Sequence, residues 1–239
     1  EKAFSCDETS AFGGIIALNK ALDKFTAKKI IDNQFVEVIA APAINPAAKK
    51  IIARKKNVRL LLVKDLFQKP TGFKTLTMNQ GILVQNVDDG AVSKKDLKVV
   101  TKKKPTSKQV NDALFAWRVG KYVKSNAIVY AKNNMTLGIG AGQMSRIDSA
   151  EIAVSKAKKA GFNLKGATMA SDAFFPFRDS IDEAAKNGIQ CVIQPGGSIR
   201  DKEVIAAANE ANMIMFFTNM RHFRHCLLYT SDAADDDVR

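Results

Sequence analysis

The chain has 239 residues, of which 46% are hydrophobic and 26% charged, a composition typical of globular domains and not of disordered or fibrous chains. It carries 37 Lys and Arg against 24 Asp and Glu, a formal net charge of +13. The three cysteines are spread along the chain, which argues against a disulfide framework or a cysteine-based zinc site and favours a reducing, cytoplasmic setting. No apolar run reaches the roughly 18 to 20 residues of a membrane span, and no signal-peptide pattern is visible.

Lysines give the chain its positive charge, and they occur mostly in pairs scattered over many segments. The pairs are Lys28-Lys29, Lys49-Lys50, Lys55-Lys56, Lys94-Lys95 and Lys158-Lys159, with a triplet at 102–104. Aromatic residues are not interleaved with them, so the distribution favours ordinary solvated faces. The functional alternative is a diffuse surface that binds RNA or another polyanion, or that steers a phosphorylated substrate towards a cleft.

Apolar runs typical of strands alternate with helical patterns from residue 15 onward. They predict strands at 15–18, 36–39 and 58–63, with helices at 20–31 and 46–56 between them. The second and third strands are almost continuously apolar, which predicts burial on both faces of a parallel or mixed sheet. The predicted fold class is therefore α/β, and residues 1–65 form its first unit.

Residues 66–106 differ in character and are interpreted as a connector between two α/β units. They contain two short predicted strands, 74–78 and 82–85, followed by a polar, lysine-rich stretch. Ser107 is predicted to cap the next helix, which carries Trp117 on its apolar face as a core residue rather than a ligand contact.

Residues 107–225 repeat the alternation and are predicted to form the second unit. Asn133-Asn134 predicts a hairpin turn between two strands, because asparagine tolerates positive φ. A helix through 150–157 should end at Gly161. The predicted strands are 127–131, 135–139, 167–171, 191–194 and 213–218, and the further helices are 181–186 and 202–212.

The last segment, 226–239, breaks sharply with the lysine-rich composition before it. It resembles the translation of a sequencing adapter read through in frame, so we expect an artefact and exclude it from the fold prediction. A natural acidic tail is the alternative.

Two glycine-rich segments follow predicted strands and could bring backbone amides close to a ligand. Segment 138–146 fits a tight turn as well as a ligand loop, and it is not the dinucleotide-binding pattern because its third glycine comes one position early. Segment 194–200 could offer amides and the Ser198 hydroxyl. Both lie at strand ends, where ligands of α/β sheets usually bind.

Two further segments combine aromatic and charged side chains. In segment 171–179, Phe174 and Phe177 would suit a flat heteroaromatic ligand, with Asp172 or Asp179 accepting its N–H groups; the alternative is a loop that plugs the core. Segment 220–225 holds both histidines and two arginines, which suit phosphate binding or acid–base chemistry. A metal site is disfavoured, because there is no third histidine and the cysteines are not suitably spaced.

Five segments, in this order, resemble the transformylase part of the bifunctional AICAR transformylase/IMP cyclohydrolase family: Ser10-Ala11-Phe12-Gly13-Gly14, 138–146, 171–179, 194–198 and 220–225. The resemblance covers residues 1–225. It implies two cytidine-deaminase-like α/β units without the deaminase zinc, in an intertwined homodimer with shared active sites and no nucleic-acid or membrane partner. The implied reaction moves a formyl group from 10-formyltetrahydrofolate to the 5-amine of the AICAR nucleotide, giving FAICAR in purine (IMP) biosynthesis.

The resemblance also implies roles for individual residues. Asn126 would orient or help to deprotonate the amine and carboxamide of the nucleotide. Glu37 stands where the family has an aspartate opposite the folate, and Asp172 and His225 would help to hold a monovalent cation. The implied nucleotide contacts are Arg146, Phe174, Arg221 and Gly13, and the implied folate contacts are Ser10, Phe12, Ile147, Phe177, Asp179 and Ser198. Of these, Ser10, Phe12 and Gly13 would contribute across the dimer interface.

The catalytic Lys-His pair of the family lies in a Lys-His-x-Asn-Pro-Cys-Gly motif that would fall just before Glu1, with the cyclohydrolase domain further upstream. Neither is in this sequence, so we expect a fragment with weak or no turnover, since a general acid–base group contributes about 10²- to 10⁴-fold. The competing hypotheses are a non-catalytic basic α/β module that binds RNA or another polyanion, and a catalytically dead paralogue that pairs with a partner.

Overall fold

The structure is a computed structural model that describes residues 1–65, 68, 71–222 and 224. These residues gather into two compact units: a smaller one, Asp7–Asp89, and a larger one made of Glu1–Cys6 and the described residues from Gly90 onward. The segment interpreted as a connector is thus shared between the two units. The suspected adapter segment, 226–239, lies outside the described residues.

The smaller unit is built on a three-stranded parallel sheet in the order β1-β2-β3. Ile39 at its centre is opposite Ile16 on one side and Leu60 on the other. The Asp23 side chain caps one helix by accepting a hydrogen bond from the Thr26 amide at 2.7 Å. The elements are β1 (Gly14–Ala17), α2 (Lys24–Asn33), β2 (Val36–Ala41), α3 (Pro46–Ile52) and β3 (Arg59–Leu62), and α1 (Lys2–Ser5) precedes them in the larger unit.

All five predicted elements of this region are confirmed, although α3 ends at Ile52, four residues before its predicted end. The prediction that β3 is buried on both faces was wrong. Leu61 and Leu62 are 49% and 52% exposed, because β3 lies at an edge of the three-stranded sheet. In β2, by contrast, Val36, Ile39 and Ala41 are buried.

The smaller unit also contains the two short strands predicted within segment 66–106. They form an antiparallel hairpin of β4 (Phe73–Met78) and β5 (Gly81–Asn86). Its register places Phe73, Ile82 and Val84 on one face, and all three side chains are exposed.

The larger unit contains a six-stranded mixed sheet in the order β6-β11-β10-β9-β7-β8. The neighbours β9, β10 and β11 are parallel, whereas β7 runs antiparallel to both β8 and β9. The strands are β6 (Lys98–Val99), β7 (Ile128–Lys132), β8 (Met135–Gly140), β9 (Thr168–Ser171), β10 (Cys191–Gln194) and β11 (Ile214–Phe217), and the helices are α4 (Ser107–Gly120), α5 (Arg146–Lys159), α6 (Asp179–Lys186) and α7 (Asp201–Glu210).

Both faces of this sheet are buried, as expected for parallel strands between helical layers. Tyr130 and Val192 face the core that includes residues of α5, α6 and α7, whereas Val129 and Ile193 face the core that includes α4. The mixed α/β class is therefore confirmed. None of the helices in the described part of the chain is long and apolar enough to cross a bilayer.

Local predictions in the larger unit hold with one correction. Thr106, not Ser107, caps α4, because its hydroxyl accepts from the Gln109 amide while the Gln109 side chain accepts from the Thr106 amide at 2.9 Å. Trp117 is buried in the core, as predicted. Asn133 and Asn134 have φ of 57° and 52° in the predicted hairpin turn.

Cys191 offers a test of how dry the sheet interior is. Burial raises the pKa of its thiol from 9.0 to about 12, because the neighbouring strands exclude water from the thiolate. The neutral thiol therefore contributes stability that is fully present below about pH 9 and is lost as the pH rises towards 12. We expect the free energy of unfolding, measured with urea, to fall across this window.

The Cys191→Ala variant separates this thiol from other groups that titrate at high pH, including Tyr130, whose pKa burial also raises. Its free energy of unfolding should fall less steeply than that of the wild type between pH 9 and 11. Equal slopes in the two proteins would contradict the assignment.

Candidate active site

The register of the six-stranded sheet brings the predicted ligand segments to one edge. Parallel strands β9, β10 and β11 all end there, and Gln194 is opposite Phe217. Ile128, the first residue of β7, is opposite both Ser171 at the end of β9 and Gly140 at the end of β8. The loops after β8, β9, β10 and β11 and the residues before β7 therefore lie side by side.

Asn126 lies directly before β7 and is held by the loop that follows β8. Its side-chain nitrogen donates hydrogen bonds of 3.0 Å to the carbonyl oxygens of both Gln143 and Met144. Its backbone carbonyl accepts a bond of 2.8 Å from the Ser149 hydroxyl on α5. The peptide bond between Ser125 and Asn126 is cis. The three hydrogen bonds fix the residue and leave its side-chain carbonyl oxygen as the polar atom that could meet a ligand.

The glycines of segment 138–146 serve two different purposes. A Cβ at Gly138 or Gly140 would overlap backbone of α5, since the one at Gly140 would lie 2.8 Å from the Cα of Ser149. Gly142 has a φ of +68° and donates a hydrogen bond of 2.9 Å to Lys124. Helix α5 then begins with Arg146 and Ile147, both half-buried. Gly138 and Gly140 thus allow α5 to pack closely on β8. The turn at Gly142 leads into the start of α5, where the predicted contacts Arg146 and Ile147 lie.

Asp172 connects three of the converging segments. It is 4% exposed, and its carboxylate accepts hydrogen bonds from the Ser125 hydroxyl and, at 3.1 Å, from the Ala127 amide. Its backbone carbonyl accepts a bond of 3.3 Å from the His222 amide. Asp172 therefore holds the start of β7 and the segment after β11 against the end of β9.

This bonding gives Asp172 a structural role, but each of its oxygens accepts one hydrogen bond and keeps a lone pair, so its implied part in binding a monovalent cation stays a prediction. The other implied cation contact, His225, lies outside the described residues. Within the described ranges there is no group of three or more His, Cys, Asp or Glu side chains that could hold a metal.

The phenylalanines after β9 divide between core and surface. Phe175 is fully buried, Phe174 is half-buried, and Phe177 is 49% exposed. Asp179, the first residue of α6, uses one carboxylate oxygen to accept a 2.6 Å bond from the Ser180 amide. The predicted stacking residues, Phe174 and Phe177, are thus the two that remain at least partly accessible.

The loop after β10 is held by close contacts. Gly196 has a φ of +76°, and a Cβ there would lie 2.5 Å from the Phe217 ring. The Ser198 hydroxyl accepts a 3.1 Å bond from the Arg200 amide. The Arg200 guanidinium lies over the Phe177 ring, 4.7 Å from its centroid. This contact joins the loops after β9 and β10.

Two neighbouring residues after β11 differ in burial. Arg221 is exposed, whereas His222 is buried with its ring 5.0 Å from that of Trp117. The pattern of two arginines and two histidines did not distinguish these roles. His222 packs in the core, and Arg221 is the residue of the pair that can reach an anion.

The smaller unit holds the remaining predicted contacts. Ser10 is bound to the Asp7 carboxylate through its amide and hydroxyl, at 3.0 and 2.9 Å. Phe12 is exposed, and its ring lies 5.2 Å from that of Phe35. Gly13 has a φ of +71°, and Glu37 lies next to it. A separate cavity of about 500 Å³ on this unit is lined by residues 31–36 and 55–58, none of them a predicted site residue.

Three residues that support the site were not predicted: Ser125, Ser149 and Arg200. Ser125 and Ser149 act through partners that are distant in sequence, so no local pattern reveals them. Arg200 closes the glycine-rich segment 194–200 and could have been included with Ser198.

Comparison with known proteins identifies the family. One solved structure with limited similarity is the diaminohydroxyphosphoribosylaminopyrimidine deaminase/5-amino-6-(5-phosphoribosylamino)uracil reductase of Thermotoga maritima, with a TM-score of 0.33 and 17% identity over 45% of this chain and 34% of that enzyme. The chain thus spans about a third of the length of that enzyme, and the two cytidine-deaminase-like units remain a prediction. Residues 1–156 match the family model described as the AICARFT/IMPCHase bienzyme. This match includes the Ser10 to Gly14 motif, Asn126 and segment 138–146. Because it covers well over half of the chain, the protein belongs to the AICARFT/IMPCHase bienzyme family.

Proposed function

We propose that the edge formed by the loops after β8, β9, β10 and β11 binds the AICAR nucleotide for formyl transfer from 10-formyltetrahydrofolate in purine biosynthesis. The observation that carries the proposal is the family match over residues 1–156, which includes Asn126 and the loop that holds it. The reaction is the one that a phosphoribosylaminoimidazolecarboxamide formyltransferase catalyses.

The reaction joins the 5-amine nitrogen of the nucleotide to the formyl carbon and breaks the bond between that carbon and N10 of the folate. The amine loses a proton, and N10 gains one. The side-chain oxygen of Asn126 would accept a hydrogen bond from the amine or the carboxamide and so orient the nucleophile. Its fixed nitrogen, bonded to Gln143 and Met144, supports this role because the oxygen can then take few positions.

The surrounding residues suit the two substrates. Arg146 and Arg221 would bind the phosphate, with Phe174 beside the imidazole. Gly13 would add a backbone contact across the dimer interface. The folate would contact a second set of residues, which present one aromatic ring and several polar groups in the larger unit. These are Phe177, Asp179, Ile147 and Ser198, and in the homodimer Ser10 and Phe12 would contribute across the dimer interface.

We further propose a cytoplasmic homodimer in which the active sites are shared. The exposed apolar face of the β4–β5 hairpin supports this proposal, because Phe73, Ile82 and Val84 lie together on it. A two-stranded hairpin is marginally stable alone in water, and exposed apolar patches commonly mark protein interfaces.

The nucleotide site is tested by replacing Arg221 with alanine. We expect the Arg221→Ala variant to bind the AICAR nucleotide at least about tenfold more weakly, because a charge-assisted bond to phosphate contributes about 1.5 to 3 kcal/mol. Isothermal titration calorimetry measures this difference, and Phe174→Ala should show a similar loss.

Arg118→Ala is the matched control, since Arg118 is an exposed arginine in the last turn of α4. It should leave nucleotide affinity unchanged. Equal losses of affinity in Arg118→Ala and Arg221→Ala, together with binding that is abolished by salt, would instead favour diffuse polyanion binding.

A further inference from the structure

Arg200 lies where the loops after β9 and β10 meet, and its guanidinium is largely free to bind a ligand. The side chain is 55% exposed, and within the described part of the chain it makes one ion pair, with Glu203 at 3.3 Å. That carboxylate is also partly exposed, and such pairs contribute little to stability. A guanidinium has five N–H donors in a planar fork that matches a carboxylate. A ligand carboxylate could therefore replace Glu203 at low cost.

Arg178, in the same region, is an arginine whose guanidinium is used in structural contacts. It donates bonds of 2.8 and 3.0 Å to Asp182 and one of 2.7 Å to Glu210. These hydrogen bonds raise the pKa of Arg178 and lower that of Asp182. Arg178 thus fastens α6 to α7, whereas Arg200 has no comparable set of partners among the described residues.

The backbone beneath Arg200 is well fixed. Its amide donates to the Ser198 hydroxyl at 3.1 Å, and the Gly197 amide donates to the Asp201 carboxylate at 2.8 Å. Stacking on Phe177 further restricts the guanidinium plane. The result is a preformed platform with an apolar ring and a cationic fork, which suits a ligand that carries a flat aromatic part next to a carboxylate.

We propose that Arg200 binds a carboxylate of the glutamyl group of the folate while it remains stacked on Phe177, and so selects folates that carry this carboxylate. The inference rests on the proposed function, because Phe177 and Ser198 are proposed folate contacts. It assigns the glutamyl end of the folate to the Phe177–Arg200 platform.

Folic acid and its derivative with both glutamyl carboxylates converted to amides test this assignment. We expect Arg200→Gln to weaken the binding of folic acid about tenfold, as for the loss of one charge-assisted bond. Binding of the diamide should be the same in Arg200→Gln and the wild type. Arg200→Lys should fall between them for folic acid, because an ammonium keeps the charge but loses the planar fork.

Lys202→Gln is the matched control. Lys202 is exposed and lies two residues after Arg200, so this variant removes the same charge close by. It should weaken the binding of folic acid only slightly, through the loss of a distant charge, and leave the binding of the diamide unchanged. Equal weakening of both ligands in Arg200→Gln, or weaker binding of the nucleotide alone, would overturn the role of Arg200 and leave the proposed function intact. Failure of the wild-type chain to bind folic acid at all would overturn both.

Discussion

The Gly140→Ala variant should be destabilised by about 3 kcal/mol or more, near the upper end for overpacked sites. The added methyl group would overlap the carbonyl oxygen of Ser149 and approach its Cα to 2.8 Å. Both obstacles are backbone of α5, so no side-chain rotation relieves them. The helix would have to move away from β8, against which it packs through a buried face that includes Ala150 and Ala153. Thermal unfolding followed by circular dichroism should show a midpoint lower by about 10 °C.

Gly120→Ala is the matched control. Gly120 is the last residue of α4, and a Cβ there would meet nothing within 4 Å. Alanine at this helical position should be neutral or stabilising by up to about 1 kcal/mol. If Gly140→Ala and Gly120→Ala unfold at similar temperatures, α5 does not pack against β8 as closely as described.

The glycines of segment 138–146 show what a sequence pattern can and cannot predict. The density of glycine in segment 138–146 was compatible with a tight turn or a ligand loop, and each alternative is right for part of it. Gly138 and Gly140 lie inside β8 and permit helix packing, whereas Gly142 makes the turn. Composition cannot separate these uses, because they depend on how far the next helix lies from the strand.

The convergence of the ligand segments was largely predictable. Alternating strands and helices indicate a parallel sheet, and the ends of parallel strands share one edge. The order of strands and helices along the chain is therefore enough to place segments 171–179, 194–200 and 220–225 together. It does not place Asn126, which reaches the same edge because β7 runs antiparallel to β9, with Ile128 opposite Ser171.

Burial was less predictable than the elements themselves. The apolar strand β3 is half-exposed because it lies at an edge of its sheet, and strand order is not a local property. His222 belongs to a motif that suggests acid–base chemistry, yet its ring packs against Trp117. A residue type shows what a side chain can do, whereas its neighbours decide whether water or a ligand can reach it.

The Asp172→Ala variant should combine a large loss of stability with a loss of nucleotide binding. Removal of the carboxylate leaves the buried Ser125 hydroxyl and Ala127 amide without this acceptor, at a cost of about 1 to 3 kcal/mol for each group. The total should be about 2 to 6 kcal/mol in urea unfolding. Because Ser125 and Ala127 flank Asn126, its side-chain oxygen should also shift, and affinity for the AICAR nucleotide should fall in calorimetric titrations.

Asp172→Asn separates the hydrogen bonds from the charge. Its side-chain oxygen can still accept from the Ala127 amide, and its nitrogen can donate to the Ser125 hydroxyl, which can rotate to accept. We therefore expect Asp172→Asn to retain most of the stability and most of the nucleotide affinity. Asp148→Ala removes an exposed carboxylate from the first turn of α5 and should cost no more than about 1 kcal/mol.

The ordering of these three variants distinguishes a positioning role from a general effect of charge. If Asp172 holds Asn126 in place through its hydrogen bonds, Asp172→Ala should lose affinity while Asp172→Asn and Asp148→Ala keep it. Equal loss in the alanine and asparagine variants would mean that the negative charge itself matters, as it would for a carboxylate that binds a cation. Asn126 would then be positioned by its bonds to the Gln143 and Met144 carbonyls and to the Ser149 hydroxyl, without Asp172.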